Sequence, residues 1–173
     1  PKIENFKLQI EEKKRNFPKE NRAILVSSLE NQYQKPETSE ATRSNIQLLK
    51  DENTFTITTG HQLNLFTGPL YFLYKIVSVI NLCKKLKKEY PENNFVPIYW
   101  MATEDHDFEE INHFNFKGKK ISWKKDSSGP VGRLSTEGLE AVFELFEKEL
   151  GAGNNAAYLK NLFNTSLCDE AQI

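Results

Sequence analysis

The spacing of hydrophobic residues predicts two or three short helices in the first fifty positions. Apolar side chains recur every three or four residues here, and Pro18 and Pro36 interrupt the pattern. Thr38 or Ser39 can cap the third helix, because either hydroxyl can accept a hydrogen bond from a free backbone N–H group. We therefore predict an N-terminal helical segment over residues 1–50, whose charged outer faces are ordinary solvated surface.

The pattern changes after residue 52 and predicts a strand, a helix and a second strand. Residues 54–59 are β-branched and aromatic, which is typical of a strand. Residues 70–89 carry apolar side chains on one face and end in a lysine-rich turn, which favours a helix. Residues 95–101 are apolar on both faces, as interior parallel strands are. Together these segments predict a βαβ unit with a right-handed crossover.

The remaining residues predict an inserted hairpin and two more helices. Residues 113–116 and 120–123 flank the sequence Lys-Gly-Lys, which favours a β-hairpin. Ser135 or Thr136 is the expected cap of a helix that runs through Leu150, and a last helical stretch is expected near residues 156–163. The fold class is therefore α/β, with a parallel-sheet core over residues 51–173.

Composition narrows the range of partners. The chain has 173 residues, with 23 Lys and Arg against 24 Asp and Glu, so no basic excess draws it to nucleic acid, and small molecules are the expected partners. Polar residues interrupt the longest apolar stretch, residues 70–83, which is a poor membrane span. Cys83 and Cys168 form no CxxC motif, which indicates a reducing cytoplasm and no structural metal. The chain begins at Pro1 and ends inside a further element, which indicates a fragment of a longer protein.

The loop after the first predicted strand is the first candidate site. Ligands of open parallel sheets bind beyond the carboxyl ends of the strands. Gly60 is expected to allow a tight turn and Gly68 a close approach to a ligand, while the following helix points its N-terminus at an anion. A phosphate group would suit this loop. Because the loop contains neither a P-loop nor a GxGxxG motif, a plain turn capped by Thr67 remains the alternative. His61 would donate to a phosphoryl oxygen or bond to a neighbouring loop.

The loop after the second predicted strand is the second candidate. Residues 102–113 concentrate carboxylate and imidazole groups, and crowded carboxylates can act as a general base or hold an amine. Metal ligation by Asp105, His106, Asp107 and His113 is an alternative, although their spacing matches no HExxH motif. A solvated acidic turn is the third interpretation.

Two basic residues are candidates to complete either site. Lys75 lies one to two turns into the predicted crossover helix, and Arg133 follows a glycine-containing loop, where its guanidinium group could clamp a carboxylate. Surface placement is the alternative for each of them.

These two loops carry a resemblance to a known family. The run TGHQLNLFTGPLYFLYKIVSVINL, followed by FVPIYWMATEDHDFEEINHF, resembles the BshC family of bacillithiol-biosynthesis cysteine-adding enzymes. Members carry a TG[QH]Q…LFTGP loop and an EDHDF.EINH loop in this order, and the match runs from about Thr54 to Leu134. The resemblance implies a partial Rossmann-like core similar to class I aminoacyl-tRNA synthetases and nucleotidylyltransferases, with the start of a connecting segment. It also implies a longer protein whose C-terminal coiled coil, absent here, pairs two subunits.

The resemblance implies a ligase that joins the carboxyl group of cysteine to the amine of glucosaminyl-malate, in the last step of bacillithiol synthesis. Amide formation needs an activated carboxyl group, so ATP or another nucleotide is expected, and Mg²⁺ is compatible with that chemistry. The alternatives are a nucleotidylyltransferase-like protein acting on another small amine, a nucleotide-binding module and a non-catalytic scaffold.

The resemblance also implies roles for individual residues. Phosphate contacts are expected from seven residues of the first loop: Thr59, Gly60, His61, Gln62, Asn64, Thr67 and Gly68. Asp105 and Asp107 would orient or deprotonate the attacking amine, and His106 or His113 would assist proton transfer. Substrate contacts are expected from Glu104, Lys75 and Arg133. Many relatives carry glutamine at position 61, which favours a neutral hydrogen-bonding role for His61.

Overall fold

The computed structural model describes residues 2–34 and 37–168, and the side chains of Thr67 and of residues 165–168 are left out of the description. The chain forms two compact units. The first unit comprises residues 1–59 and 75–99, and the second comprises residues 60–74 and 100–173. Each unit groups residues that contact one another, whereas the segments 1–50 and 51–173 are consecutive stretches of sequence. Those two segments therefore stay a prediction. Pro36 and the expected further element at residues 169–173 lie outside the described residues.

The helices predicted at the start of the chain are confirmed. They are α1 (Phe6–Asn16), α2 (Lys19–Gln32) and α3 (Glu40–Leu48), and a 3₁₀ turn, Ile3–Asn5, precedes α1. The hydroxyl group of Ser39 accepts a hydrogen bond from the backbone N–H of Thr42 at 3.2 Å. Of the two candidate caps of α3, Ser39 therefore fills the role.

The first unit packs around a small aliphatic core and a buried arginine. Val26, Ile46, Leu49 and Val96 form the core. The guanidinium group of Arg22, which is 5% exposed, donates to the carbonyl oxygens of Leu49, Glu52 and Thr54 at 3.0–3.2 Å. These bonds fasten the backbone at the point where it enters the first strand.

The predicted βαβ unit is present. Its elements are β1 (Thr54–His61), α4 (Leu70–Glu89) and β2 (Asn94–Met101), and the two strands are neighbours in a parallel two-stranded sheet. The ammonium group of Lys87 donates to the carbonyl oxygens of Pro91 and Asn93, at 2.8 and 3.0 Å, which closes the turn from α4 into β2. Both carbonyl groups lie beyond the end of α4, so Lys87 stabilises the turn itself.

The second unit contains the predicted hairpin and the later helices. Its elements beyond β2 are α5 (Phe108–Ile111), β3 (His113–Phe116), β4 (Lys119–Ser122), α6 (Leu139–Leu150) and α7 (Asn154–Cys168). Strands β3 and β4 pair antiparallel, with His113 opposite Ser122. Lys117 and Gly118 connect them with φ angles of 49° and 77°, and positive φ at both positions is what a two-residue hairpin loop of this twist requires.

The predicted cap of α6 is wrong. The helix begins at Leu139, directly after Gly138, whose φ is 88°, and no side chain caps it. Ser135 instead accepts the backbone N–H of Glu137 within the preceding turn. The indole N–H of Trp123 donates to the carbonyl oxygen of Glu137 at 3.1 Å, which holds this turn in place.

The core of the second unit is largely aromatic. Its buried residues are Phe108, Ile111, Phe114, Ile121, Trp123, Val131, Val142, Phe143 and Phe146. Phe66, from the loop after β1, packs against this core, with its ring centroid 4.6 Å from that of Phe114 and 4.7 Å from that of Phe146. Its φ of 49° is uncommon for a residue with a Cβ atom, so packing holds the loop in a conformation that the backbone alone disfavours.

Across the described part of the chain, none of the helices combines the length and apolar character needed to cross a membrane.

Candidate functional site

The structure explains the glycines at positions 60 and 68 by contacts that differ from the predicted roles. Gly60 lies within β1, where an added Cβ atom would stand 3.0 Å from the carbonyl oxygen of Trp100. The close approach of Trp100, rather than a tight turn, therefore explains the glycine at this position. Gly68 has a φ of 61°, and an added Cβ atom would lie 2.6 Å from the side chain of Asn64. Asn64, rather than open space for a ligand, occupies that side of Gly68.

Thr67 was the alternative cap of the crossover helix, and its side chain lies outside the described part of the chain. Thr67 lies in a 3₁₀ turn, Leu65–Thr67, and α4 begins at Leu70. Pro69 therefore directly precedes the helix, and its fixed φ and missing N–H group suit that position.

His61 is buried, and its ring nitrogens contact neighbouring protein groups. The imidazole is 8% exposed. Its Nε2 atom lies 2.5 Å from the hydroxyl oxygen of Tyr71, and its Nδ1 atom lies 3.0 Å from Nδ2 of Asn64 and 3.2 Å from the carbonyl oxygen of Gln62. The side chain thus shapes the loop from within.

Glu110, from α5, is the charged group on which this loop converges. Its Oε2 atom accepts a hydrogen bond from the side-chain amide of Gln62. Its Oε1 atom accepts from the hydroxyl group of Tyr71 at 3.1 Å and lies 3.3 Å from Nε2 of His61. The carboxylate thereby joins the two candidate loops within the second unit.

Residue-by-residue reading of the sequence missed Glu110 and Tyr71. Glu110 belongs to the acidic loop, and this was the available signal. Nothing in its spacing distinguishes it from the other acidic residues of the loop. Burial, followed by the hydrogen bond to Glu110 and the charge of Glu110, raises the pKa of Tyr71. Its hydroxyl group therefore stays a hydrogen-bond donor at neutral pH.

The predicted acidic residues have local partners. The carboxylate of Asp107 accepts the backbone N–H of Glu110 at 3.2 Å and caps α5. The carboxylate of Asp105 accepts the backbone N–H of His106 at 2.7 Å, and Glu104 accepts the indole N–H of Trp100 at 3.2 Å. Asp105 is half-exposed and His106 is exposed, so both can meet a ligand.

His113, in contrast, contacts a side chain of its sequence neighbour. Nδ1 of His113 lies 3.0 Å from the side-chain oxygen of Asn112, at the start of β3.

Within the residues that the structure describes, no group of three or more His, Cys, Asp or Glu side chains is placed to hold a metal ion. The structure therefore does not assemble the alternative ligand set of this loop, and we derive no step through a metal.

Two backbone hydrogen bonds tie the acidic loop to the segment before Arg133. The N–H of Val131 donates to the carbonyl oxygen of Asp105 at 2.7 Å, and the N–H of Gly132 donates to that of Thr103 at 2.9 Å. An added Cβ atom at Gly132 would lie 2.5 Å from Cβ of Thr103, so only glycine fits this contact. Arg133 follows directly and is exposed.

The other predicted substrate and phosphate residues lie in the first unit. Lys75 is an exposed residue of α4, and Thr59 is a half-buried residue of β1. Within the second unit, a cavity of about 350 Å³ lies between residues 63–65 of the first loop and residues 131–139. Its lining is mainly apolar, with Trp123 and Ile111 among the contributing side chains.

Comparison with known proteins identifies relatives of the whole chain. The family model for the bacillithiol biosynthesis protein BshC, N-terminal Rossmann-like domain, matches residues 1–173. A BshC protein of Flavobacterium psychrophilum, named as a cysteine ligase, is 66% identical over 100% of this chain and 33% of its own length. The protein of the same name from Flavobacterium johnsoniae is 65% identical over 94% of this chain and 31% of its own length.

A more distant relative, the BshC protein of Bacillus thuringiensis, is 46% identical over 58% of this chain and 19% of its own length. The chain spans about a third of the length of the Flavobacterium relatives. The family model also agrees with the parallel strands and helices described above, and the chain belongs to the BshC family, of which it carries the N-terminal Rossmann-like domain.

Proposed function

We propose that the full-length protein is a ligase that adds cysteine to the amine of glucosaminyl-malate in the last step of bacillithiol biosynthesis. One observation carries this proposal: a bacillithiol-biosynthesis family model matches the whole chain, and relatives up to 66% identical are named as cysteine ligases. Because those relatives are about three times as long, the activity belongs to the complete protein. We place that protein in the cytoplasm, as a homodimer joined through a C-terminal coiled coil.

The reaction requires activation of the cysteine carboxylate, which we assign to ATP or another nucleotide as co-substrate. A carboxylate oxygen attacks the γ-phosphorus and releases the nucleoside diphosphate, or attacks the α-phosphorus and releases pyrophosphate. The amine then attacks the activated carbonyl carbon, expels phosphate or the nucleoside monophosphate, and loses one proton to a base. The products are the amide, a proton, and either nucleoside diphosphate with phosphate or nucleoside monophosphate with pyrophosphate.

The first loop supports phosphate binding through its backbone rather than its side chains. His61, Gln62 and Asn64 are engaged with one another or with Glu110. A helix N-terminus such as that of α4 is a site of the type that binds phosphate. We assign the phosphate contacts of Gly60, Thr67 and Gly68 to their main chain, where the N–H of Gly68 already donates to the carbonyl oxygen of Leu65 at 3.1 Å.

The acidic loop supports the base chemistry. Asp105 is half-exposed beside exposed His106, and two backbone bonds hold its loop against residues 131–132. We assign Asp105 to the attacking amine and His106 to proton transfer. Asp107, which caps α5, and His113 support this group from the same segment.

Substrate contacts are assigned to three charged residues, Arg133, Lys75 and Glu104. The guanidinium group of Arg133 suits the carboxylates of the malate group, since it can bind a carboxylate through two parallel hydrogen bonds. Lys75 and Glu104 are further candidates for binding the charged groups of the substrates.

The test is ligation by the full-length protein. Glucosaminyl-malate, cysteine and ATP are mixed with the enzyme, and bacillithiol is detected by mass spectrometry, with reactions lacking ATP as a control. We expect ATP-dependent product and a rate about 100-fold lower for Asp105→Asn, since a positioned base contributes on the order of 10²–10⁴-fold. Asp126→Asn, an exposed carboxylate of the same unit, is the matched control and should keep its rate. Nucleotide binding without product under any nucleotide would contradict the ligase and favour a binding module.

A further inference from the structure

Three groups from the first loop and the start of α4 meet one carboxylate. Gln62 and Tyr71 donate hydrogen bonds to the two oxygens of Glu110, and Nε2 of His61 lies 3.3 Å from Oε1. All four residues lie in the second unit, and their contacts span 39 to 49 positions of sequence. Glu110 is therefore the point at which the acidic segment holds the first loop.

The contacts around His61 form a chain that ends on Glu110. Nδ1 of His61 lies 3.0 Å from Nδ2 of Asn64 and 3.2 Å from the carbonyl oxygen of Gln62, Nε2 lies 2.5 Å from the hydroxyl oxygen of Tyr71, and Tyr71 donates to Glu110 at 3.1 Å. A carboxylate only accepts, so it is the natural end of such a chain.

The side chain of Glu110 is 41% exposed, but two of its partners are buried. Gln62 and His61 are 2% and 8% exposed, so donors released from Glu110 would face protein rather than water. Among the residues that the structure describes, the buried Oε1 atom of Gln62 has no hydrogen-bond partner, and the bond from its amide nitrogen to Glu110 anchors that side chain. Losing such a charge-assisted bond is costly because the donor stays buried.

We propose that Glu110 is a positioning residue, which holds residues 61–68 in the shape that receives the phosphates through its contacts with Gln62, Tyr71 and His61. This inference rests on the proposed function for the identity of the ligand. The clamp itself rests only on the contacts above. Phe66 anchors the same loop from its apolar side, so removal of the carboxylate loosens the loop without unfolding the unit.

The first experiment tests the clamp without any assumption about the reaction. Hydrogen–deuterium exchange of the full-length protein, read by mass spectrometry on peptides covering residues 60–68, is compared for wild type, Glu110→Gln and Tyr71→Phe. We expect exchange about tenfold faster in Glu110→Gln, as for loss of a hydrogen bond to a charged group, and a smaller increase in Tyr71→Phe. Glu109→Gln removes a neighbouring exposed carboxylate and should match wild type.

The second experiment separates positioning from general loss of structure. In the ligation assay we expect Glu110→Gln to raise the KM for the nucleotide at least tenfold and to change kcat less than threefold. A merely structural defect would lower kcat through the inactive fraction and leave KM unchanged. Glu110→Asp, which keeps the charge, should recover part of the KM.

The two proposals fail in distinguishable ways. Wild-type protein that makes no product refutes the proposed function, while the exchange experiment still decides the clamp. Exchange over residues 60–68 in Glu110→Gln equal to that in Glu109→Gln overturns the positioning role. So does a KM unchanged from wild type in an active Glu110→Gln enzyme.

Discussion

The two units are stabilised by different means. In the first, aliphatic side chains and the buried guanidinium group of Arg22 hold helices against the start of β1. In the second, an aromatic core supports short strands and both candidate loops. The loops that carry most of the candidate site residues therefore belong to the unit with the aromatic core, where rigid side chains can fix irregular backbone.

Tryptophan fluorescence can follow the second unit alone, which makes this comparison testable. Trp100 and Trp123, the two tryptophans of the chain, both lie in the second unit. Far-ultraviolet circular dichroism follows helices of both units, among them α1, α2 and α3 of the first. Chemical denaturation of the 173-residue chain, read by both signals, therefore reports whether a substitution acts on one unit or on both.

The largest effect is expected from Phe146→Ala in the second unit. Phe146 is 5% exposed, and its ring packs against Phe66, Phe114 and Phe116. Truncation of a buried phenylalanine costs about 3–5 kcal/mol, so the fluorescence transition should move to much lower denaturant. Leu145→Ala, at a neighbouring position of α6 that is 52% exposed, is the control and should cost less than about 1 kcal/mol. An equal shift of both signals in Phe146→Ala would show that the units unfold together, and it would contradict the view that each unit has its own source of stability.

Arg22→Ala should produce the next largest effect, in the first unit. The substitution leaves the carbonyl oxygens of Leu49, Glu52 and Thr54 without their donor, and we expect a loss of about 2–4 kcal/mol. The circular dichroism transition should move more than the fluorescence transition. Arg43→Ala is the matched control, because exposed Arg43 also donates to a carbonyl oxygen, that of Thr38, which water can solvate after the change. A loss of the same size in both variants would refute a special role for burial at Arg22.

These elements show how far sequence reasoning reaches. Hydrophobic periodicity located the helices, the two sheet strands and the hairpin, because each pattern records which side of a local element is buried. Ser39 could be named as a candidate cap because capping depends on residues only three positions apart. Local patterns of this kind can be recognised in the sequence without knowledge of the tertiary fold.

The candidate site could be predicted only in part from the sequence, because its contacts join residues that are far apart along the chain. The loops themselves were found, but the convergence of Gln62 and Tyr71 on Glu110 joins residues 39 and 48 positions apart. The same limit explains Gly60, whose need for glycine comes from Trp100 on the neighbouring strand. The positive φ of Phe66 likewise depends on packing that spacing cannot show.

The pH dependence of stability provides a smaller test, in the first unit. Burial raises the pKa of the Cys83 thiol to about 11. Since an unfolded thiol ionises near pH 8.5, thiolate formation favours the unfolded chain above that pH, and the contribution of Cys83 is lost progressively up to about pH 11. The expected loss is about 2 kcal/mol or more, because one unit of pKa shift corresponds to about 1.4 kcal/mol.

The measurement for Cys83 is a difference between two pH profiles. Other groups titrate in the same range, so the free energy of unfolding is compared for wild type and Cys83→Ala between pH 8 and 11. Wild type should fall more steeply than the variant, and the extra slope should appear in the circular dichroism signal. Parallel profiles would mean that the buried environment of the thiol does not persist in solution.

The smallest losses of stability are expected from substitutions at the start of one helix in each unit. Ser39 caps α3 through the backbone N–H of Thr42, whereas α6 begins after Gly138 with no side-chain cap. Ser39→Ala should therefore cost about 1 kcal/mol, and Thr136→Ala, at a position that the sequence alone indicated as a cap, should cost less than about 0.5 kcal/mol. The first change is read by circular dichroism and the second by fluorescence. A larger loss for Thr136→Ala would mean that its hydroxyl group does cap α6 in solution, and the helix starts of the two units would then follow the same rule.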